Sequence, residues 1–449
     1  MHSIVIMKKK NYILVLIILL CAICVTGGCK KQNNVPSAQR GIFNVKNYNL
    51  KNNTIALKGE WEFYWNRLLT PEDLLTTTSK SINYFNIPHF WNGYKLNNKS
   101  LPGKGYATFR LKVILKDNSP LYALKIPDMG TAYKLFINNK IASSNGLVGT
   151  SRSAMRPSFK TTVVLFKPEK NTFFITLQIS NFYDNTGGPW KSITLGKEKN
   201  ISIETLNSVA FDIALFAVLF ILGLYHFVIF LLRKTDMPAL YLSICSFVLC
   251  LRPLILGERI AYNKLNDSFW EYILSAEHLT YYLGFMFFFL FLYSLFKKEF
   301  IPLIKNLVII VSTIFSLIII FTTAQIHTKF IPLYQIFSAL ILIYILYVII
   351  KSIINKKSGA LIILFGYIFT FLLAVNSLLH GMGIINTFYS GSLAFLFIML
   401  IYAFVLALRY KNAFSHIETL SVDLENEKHS LEQKVQSRTA ELAAANERL

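Results

Sequence analysis

Between Val209 and Leu408 the chain runs through seven apolar segments, each close to the length that crosses a bilayer as a helix. In hydrocarbon every backbone N–H and C=O must be satisfied from within, so a run of this kind folds as spanning helices. The segments read as 209–232, 238–256, 270–296, 303–324, 330–350, 359–380 and 387–408. A polar stretch of about 170 residues, enough to form its own core, precedes them. A charged tail with regularly spaced leucines follows. That order places a folded domain on one side of a membrane and a helical element on the other, which is the layout of a transducer and not of a soluble enzyme.

Charge distribution sets the direction of the helices. Charged residues make up 16% of the 449-residue chain, against roughly 25% in soluble domains. The net charge of +22 would suit nucleic acid if it were clustered on one face. Instead the lysines scatter over the N-terminal domain and gather in short loops between apolar segments, which suits membrane topology and an anionic lipid surface; no nucleic-acid partner is expected. Arg233, Lys234, Lys297, Lys298, Lys305, Lys351, Lys356, Lys357, Arg409 and Lys411 fall on one side, and only Arg259, Lys264 and Lys329 on the other. The positive-inside rule makes the first side cytoplasmic. The expectation is a multi-pass protein of the cytoplasmic (inner) membrane, with the N-terminal domain extracytoplasmic and the C-terminus cytoplasmic.

Residues 1–29 read as an export signal. Lys8, Lys9 and Lys10 form a positive start, Tyr12 to Val25 an apolar stretch, and Thr26-Gly27-Gly28-Cys29 a small-residue cleavage region. Cys29 after small residues resembles a bacterial lipobox, whose cysteine is lipidated, although Thr26 stands where leucine is usual. Ordinary cleavage and an uncleaved anchor remain open alternatives. Of the five cysteines (21, 24, 29, 245 and 250), none lies between Lys30 and Ser208, so the exported domain must be held by its own core. Cys245 and Cys250 read as apolar packing residues, and no metal or cofactor is expected.

Residues 30–205 carry short β-type runs between turn residues, the pattern of an all-β sandwich. Gly59 to Trp65 alternates so that Trp61, Phe63 and Trp65 share one face. Further strands read as Tyr106–Leu115, Tyr122–Ile126, Thr161–Phe166 and Thr172–Ile179. Asn138-Asn139 between Tyr133–Ile137 and Lys140–Ala142 signals a hairpin. The one short helical stretch is Thr70 to Leu75. In the tail, 410–449, Leu420, Leu424, Leu431, Val435, Leu442 and Leu449 recur at spacings of four or seven, as in a parallel coiled coil with a stutter after Leu431. The alternative is a solvated single helix.

Together these residues resemble the bacterial seven-transmembrane receptors with diverse intracellular signalling modules (7TMR-DISM). The polar domain looks like that family's extracellular domain, itself similar to the galactose-binding-like jelly roll of family 2 glycoside hydrolases. The matching pieces are Gly59–Trp65, Ile87–Trp91, Gly103–Arg110 and Lys134–Lys140. Leu431 to Leu442 looks like the helical linker that precedes histidine kinase, GGDEF cyclase or phosphatase modules. The resemblance implies a multidomain membrane protein: an all-β jelly-roll domain over 30–205, a seven-helix transmembrane bundle over 206–409 and a C-terminal coiled-coil helix over 410–449. The family usually continues into an output enzyme, whereas this sequence stops at Leu449 within the linker. No kinase ATP-binding box, GGDEF motif or cyclase metal site is present, and His416 in Ser415-His416-Ile417-Glu418 reads as a surface histidine.

A sugar-like ligand needs aromatic faces to stack on and polar groups for its hydroxyls. His89, Trp91, Asp128, Arg152, Arg156, Asn181, Asp184 and Trp190, from expected loops and strand ends, are the candidates for that role, against the alternative that they support loops. No pair of acids with glycosidase spacing is identifiable. In the membrane, Arg252, Glu277, His278, Asn376 and His380 lie toward the outer ends of their segments, where an Arg252–Glu277 pair would couple the bundle to the exported domain, against the alternative that they snorkel to the interface. The expected function is a signal-transducing receptor. It would bind an extracytoplasmic small molecule or carbohydrate, contact membrane lipid, dimerise through the tail and act on a separate cytoplasmic signalling protein. The alternatives are a truncated sensor kinase or diguanylate cyclase, and a transporter or channel, which the absence of an acidic relay and of paired broken helices argues against.

Overall fold

The computed structural model describes residues 35–76, 82–357, 359–381 and 391–446. The export signal with Cys29, the side chain of His380 and the last leucine, Leu449, lie outside the described residues.

Among the described residues, thirteen short strands form the N-terminal part. They are β1 (Ile42–Asn44), β2 (Ile55–Ala56), β3 (Gly59–Trp65), β4 (Asn83–Ile87), β5 (Lys95–Leu96), β6 (Lys99–Ser100) and β7 (Gly105–Ile114). There follow β8 (Tyr122–Ile126), β9 (Ala132–Ile137), β10 (Lys140–Asn145), β11 (Thr162–Phe166), β12 (Thr172–Asn181) and β13 (Thr194–Lys197). The large sheet runs β10-β9-β12-β7-β3-β4, with β1 parallel to β7, and the small sheet runs β11-β8-β13-β2. β5 and β6 pair as a separate hairpin. A short helix, α1 (Pro71–Thr76), sits where the sequence carries its one helical stretch.

Alternation builds the core between the two sheets. Trp61 and Phe63 of β3, Phe109, Leu111 and Val113 of β7, and Ile175 and Leu177 of β12 are all buried in one apolar cluster with Leu124 and Ile126 of β8 and Leu195 of β13. Phe63, Phe85 and Phe109 have ring centroids 5.1–5.6 Å apart. Asn138 takes φ +51° in the β9–β10 turn, the left-handed conformation that asparagine tolerates.

The remaining helices are α2 (Glu198–Leu232), α3 (Met237–Leu256), α4 (Ile260–Lys264), α5 (Trp270–Leu295), α6 (Pro302–Phe321), α7 (Ala324–His327), α8 (Ile331–Ile354), α9 (Ala360–Gly381) and α10 (Gly391–Asn446). Among the described residues six spans, Glu198–Leu232, Met237–Leu256, Asp267–Leu295, Pro302–Phe321, Ala324–Ile354 and Leu396–Leu442, are long and apolar enough to cross a membrane. The expected segment 359–380 corresponds to α9, whose apolar stretch among the described residues, Ala360–Leu373, is shorter. α2 packs on α3, α3 on α5, and α10 on α9 and α3. One difference from the sequence reading is that the last apolar segment and the charged tail form a single helix. Nothing between Ser392 and Asn446 is Gly or Pro, so the backbone has no reason to break on leaving the apolar region.

Candidate functional site

The sandwich seats on the helices through a junction built around one buried acid. Asp128 follows β8, and its side chain is fully buried. Its Oδ1 accepts from Lys191 Nζ at 2.5 Å, and its Oδ2 accepts from Arg259 Nη2 at 3.1 Å and from Trp190 Nε1 at 3.3 Å. Arg259 then donates through Nη1 to Glu277 Oε2 at 2.9 Å and to the Ile255 carbonyl at 3.2 Å. One guanidinium therefore bridges an acid of the sandwich and an acid of α5. Burial pushes the Asp128 carboxyl up, but Arg259 and Lys191 beside it outweigh that and hold it well below the usual carboxylate range. Burial disfavours the charged Arg259 in turn, and Asp128 and Glu277 more than restore it.

Local backbone places these groups. Arg259 lies just before α4 with φ +56°. A non-glycine residue there is strained by roughly 1–3 kcal/mol, which a site must repay by contacts of the kind Arg259 makes. Gly130 lets the Trp190 ring approach, since a Cβ at that position would lie 2.3 Å from the ring. Below the charges lies an apolar cluster of mixed origin. Phe159, Tyr183 and Trp190 from the sandwich pack with Ile255, Tyr262, Trp270, Ile273, Leu274 and Ala324 from the helical part. Phe159 sits with its centroid 5.7 Å from Tyr262 and 5.6 Å from Trp270, and Arg259 lies over both Phe159 and Tyr262.

Polar ties surround that cluster. Lys125 of β8 pairs with Glu258 at 2.7 Å, and Lys160 with Asp267 at 2.7 Å. Thr161 donates its backbone N–H to Asn263, Arg152 donates to Gln325 at 2.6 Å, and Asn185 donates to Thr328 at 2.8 Å. The Asp212 carboxylate of α2 accepts the Glu258 backbone N–H at 2.8 Å, lying over Gly257, where a Cβ would come within 2.0 Å of it.

A second contact holds the opposite end. Tyr410 Oη donates to Asp236 Oδ2 at 2.8 Å, while Asp236 Oδ1 caps α3 by accepting the Ala239 N–H. Arg409 donates to the Leu295 carbonyl at the end of α5 and lies over Phe296. From Lys411 to Leu442 every residue is exposed, so residues 409–410 are where α10 leaves the fold.

The expected ligand residues are not brought together into one cleft. Trp91 is buried, donating to the Gly103 carbonyl at 2.9 Å and packed edge-on against Trp65 at 5.1 Å; it fills the core. Asn181 is buried and organises a loop, donating to the Gly103, Asp184 and Thr186 carbonyls and accepting the Asp184 N–H. Asp184 turns back on Thr186, and burial raises its carboxyl pKa. His89 is exposed beside Phe85, and Arg156 is exposed with its backbone paired to Leu147. Asp128, Trp190 and Arg152 instead join the junction. In the membrane set, Arg252 Nη1 reaches the Glu277 backbone carbonyl at 3.1 Å and Thr280 at 3.3 Å, while Arg259 takes the Glu277 carboxylate. The His278 ring lies 5.4 Å from that of His327.

Sequence reasoning missed Arg259, Phe159 and Trp270. A signal existed for the first: Arg259 is one of only three basic residues in the expected outer loops between apolar segments.

Residues 208–409 match the family described as 7TM diverse intracellular signalling. These residues belong to that family. It is a family of membrane sensory receptor domains, not of catalytic ones, and the chain is accordingly a multi-pass membrane protein. No curated protein matches the chain. Among solved structures it is similar to the GH2 beta-galacturonidase from Eisenbergiella tayi bound to galacturonate, at 13% identity over 32% of this chain and 24% of that one, with a TM-score of 0.24. The Ruminococcus gnavus beta-glucuronidase gives 12% identity over 32% and 28%, TM-score 0.24, and the Bacteroides uniformis beta-glucuronidase 3 gives 12% over 32% and 22%, TM-score 0.26. The chain spans about a quarter of the length of these proteins, and similarity of this extent bears on neither ligand nor activity.

Proposed function

We propose that the chain is a receptor whose extracytoplasmic sandwich senses a small molecule, a carbohydrate among the candidates. A bundle of seven helices would then relay its state to the exposed part of α10 and to a cytoplasmic output. The observation that carries this reading is the pair of contacts at opposite ends of the helices. Arg259 ties Asp128 of the sandwich to Glu277 of α5, and Asp236 at the base of α3 holds Tyr410 of α10. The side bearing Asp236, Lys297, Lys298, Lys356, Lys357 and Arg409 is basic, which supports placing it in the cytoplasm and the sandwich outside the cytoplasmic membrane.

The tail supports a dimeric relay. Leu420, Leu424, Leu431, Val435 and Leu442 are half or more exposed on a continuous helix, an arrangement that in a second copy would be covered along a parallel seam. Such a seam has neighbouring packings of similar energy, so small shifts at the membrane are able to bias it.

The test needs no ligand. Full-length protein carrying Leu431→Cys is reconstituted in nanodiscs and cross-linked, with and without Arg259→Met. The relay reading expects the junction substitution to change the yield or rate of tail cross-linking, while Lys160→Met at the exposed rim changes it little. Equal cross-linking in all three proteins sinks the relay.

A further inference from the structure

The outward face of the large sheet carries the cations Arg110, Lys112 and Lys134 beside the acid Glu62. Glu62, Arg110, Thr176 and Phe136 stand opposite one another across β3, β7, β12 and β9, and Lys112 stands opposite Phe174. All point away from the core residues Phe109, Leu111, Ile175 and Leu177 that alternate with them. The Arg110 guanidinium carbon lies 4.3 Å from the centroid of the Phe174 ring, with Lys112 5.9 Å from the same ring and Lys134 over Phe136 at 5.3 Å. Among the described residues, none of these three cations has an ion-pair partner, and the Arg110 side chain has no hydrogen-bond partner. Glu62, which faces Arg110 across β3 and β7, accepts from Tyr64 Oη; burial raises its carboxyl pKa, and the Tyr64 hydrogen bond and the charge of Arg110 offset part of that rise.

Arg110 also borders a small notch. About 70 Å³ of space opens between Arg110, Phe174 and Thr176 on the sheet, Asn138 and Asn139 of the hairpin turn, and Pro71 and Leu75 of α1. That is room for the head of a ligand and not for a whole sugar ring. Contact with Phe174 holds the guanidinium beside the notch, and its N–H groups have no hydrogen-bond partner among the described residues, so two of them are able to meet the two oxygens of a carboxylate side by side. The amides of Asn138 and Asn139 and the Thr176 hydroxyl line the same space and offer further donors.

We propose that Arg110, held on Phe174 above this notch, binds a carboxylate group of a small extracytoplasmic ligand. For its purpose this rests on the receptor reading; for the binding itself it does not. An acidic sugar would satisfy both. The site lies on the sheet face, away from the loops where the sequence led one to look.

The experiment measures binding alone, so its failure is separate from failure of the relay. Full-length protein in phosphatidylcholine nanodiscs is titrated with sodium acetate, sodium D-glucuronate, D-glucose and inorganic phosphate, followed by ligand-observed NMR. Saturable binding of acetate and glucuronate is expected, with none of D-glucose. Arg110→Met, which keeps the contact with Phe174, is expected to weaken carboxylate binding about 10-fold or more, and Arg110→Lys to restore part of it, since each good charge-assisted contact is worth about a factor of ten. Lys112→Met is expected to weaken it only a few-fold. Unchanged glucuronate binding in Arg110→Met, no saturable binding of either carboxylate, or binding of phosphate alone would each overturn the proposal.

Discussion

Arg259→Met is the substitution that asks most of the junction. It keeps most of the volume over Phe159 and Tyr262 but removes the charge between Asp128 and Glu277. Asp128 has a fully buried side chain, Arg259 is 10% exposed and Glu277 18%, so water cannot replace the lost partner cheaply. Breaking a buried pair by removing one member costs about 3–5 kcal/mol, most of it the penalty of the charge left behind. Lys191 still neutralises Asp128 and is itself 43% exposed, which argues for the lower part of that range. Lys160→Met is the comparison, because Lys160 and Asp267 are 34% and 47% exposed and such pairs are worth no more than about 1 kcal/mol. Native-state hydrogen exchange on full-length protein in nanodiscs reads the difference at the amides around Asp128 and Arg259. A loss of about 3 kcal/mol appears as a protection factor lower by about 100-fold, against about 5-fold for the rim variant. If Arg259→Met and Lys160→Met lower protection equally, the bridging arginine does not hold the sandwich on the helices and the argument from burial is wrong.

The remaining predictions concern pH, the tail, the Tyr410–Asp236 contact and the core. Asp128 titrates below its unfolded value near pH 4, so its contribution is complete above that value and is lost as pH falls through the depressed one. The stability difference between wild type and Asp128→Asn should therefore stay constant from about pH 5 to 8 and shrink only in stronger acid; a difference that changes between pH 5 and 7 contradicts the assignment. Leu420→Lys with Leu431→Lys should abolish tail self-association in a cross-linking assay, and unchanged yield rules out the seam. Tyr410→Phe removes one hydrogen bond, worth about 1 kcal/mol, and should raise exchange at residues near 410 about 5-fold without affecting the junction at Asp128. Trp61→Ala should cost the sandwich about 3–5 kcal/mol in a denaturant titration, since Trp61 is wholly buried; a loss under 1 kcal/mol would mean the core repacks.

How much of this was legible depends on whether the physics is local. The strand Gly59–Trp65 was readable to the residue, because alternation along one strand is a property of consecutive side chains. The same holds for β8 and for the Asn138-Asn139 turn. Six of the seven expected apolar segments correspond to long apolar helices among the described residues, and they were readable because hydrocarbon thickness sets their length. The junction was not. Asp128 and Arg259 are separated by 131 residues, and nothing in either neighbourhood records that they meet. Trp91 and Asn181 were misplaced for a related reason: polar and aromatic residues in loops look alike whether they face solvent or, as here, close a loop over the core. The single helix α10 shows the opposite limit, since the change from apolar to charged sequence was read as a boundary although it alters the surroundings of the helix and not its backbone.

The two ends of the proposed relay meet on one element. α3 carries Glu258 and Arg259 just beyond its upper end, where they pair with Lys125 and Asp128 of the sandwich. At its lower end Asp236, its N-cap, holds Tyr410. Between them lie 20 residues of helix, about 30 Å, packed along α2 on one side and α5 on another. A helix resists compression far more than side-chain packing resists sliding, so a shift of the sandwich against Glu258 and Arg259 reaches Asp236 as a translation or rotation of α3 and need not be relayed by rearranging the whole bundle. Pro253 lies within the last turn of α3 and leaves that turn without one backbone donor, so the end nearest the sandwich is also where the helix bends most easily. Replacing Pro253 by Ala should stiffen that turn. In the cross-linking assay on Leu431→Cys, it should then enlarge the response of the tail to Arg259→Met. If the response is the same with proline or alanine at 253, motion passes through the bundle by another route.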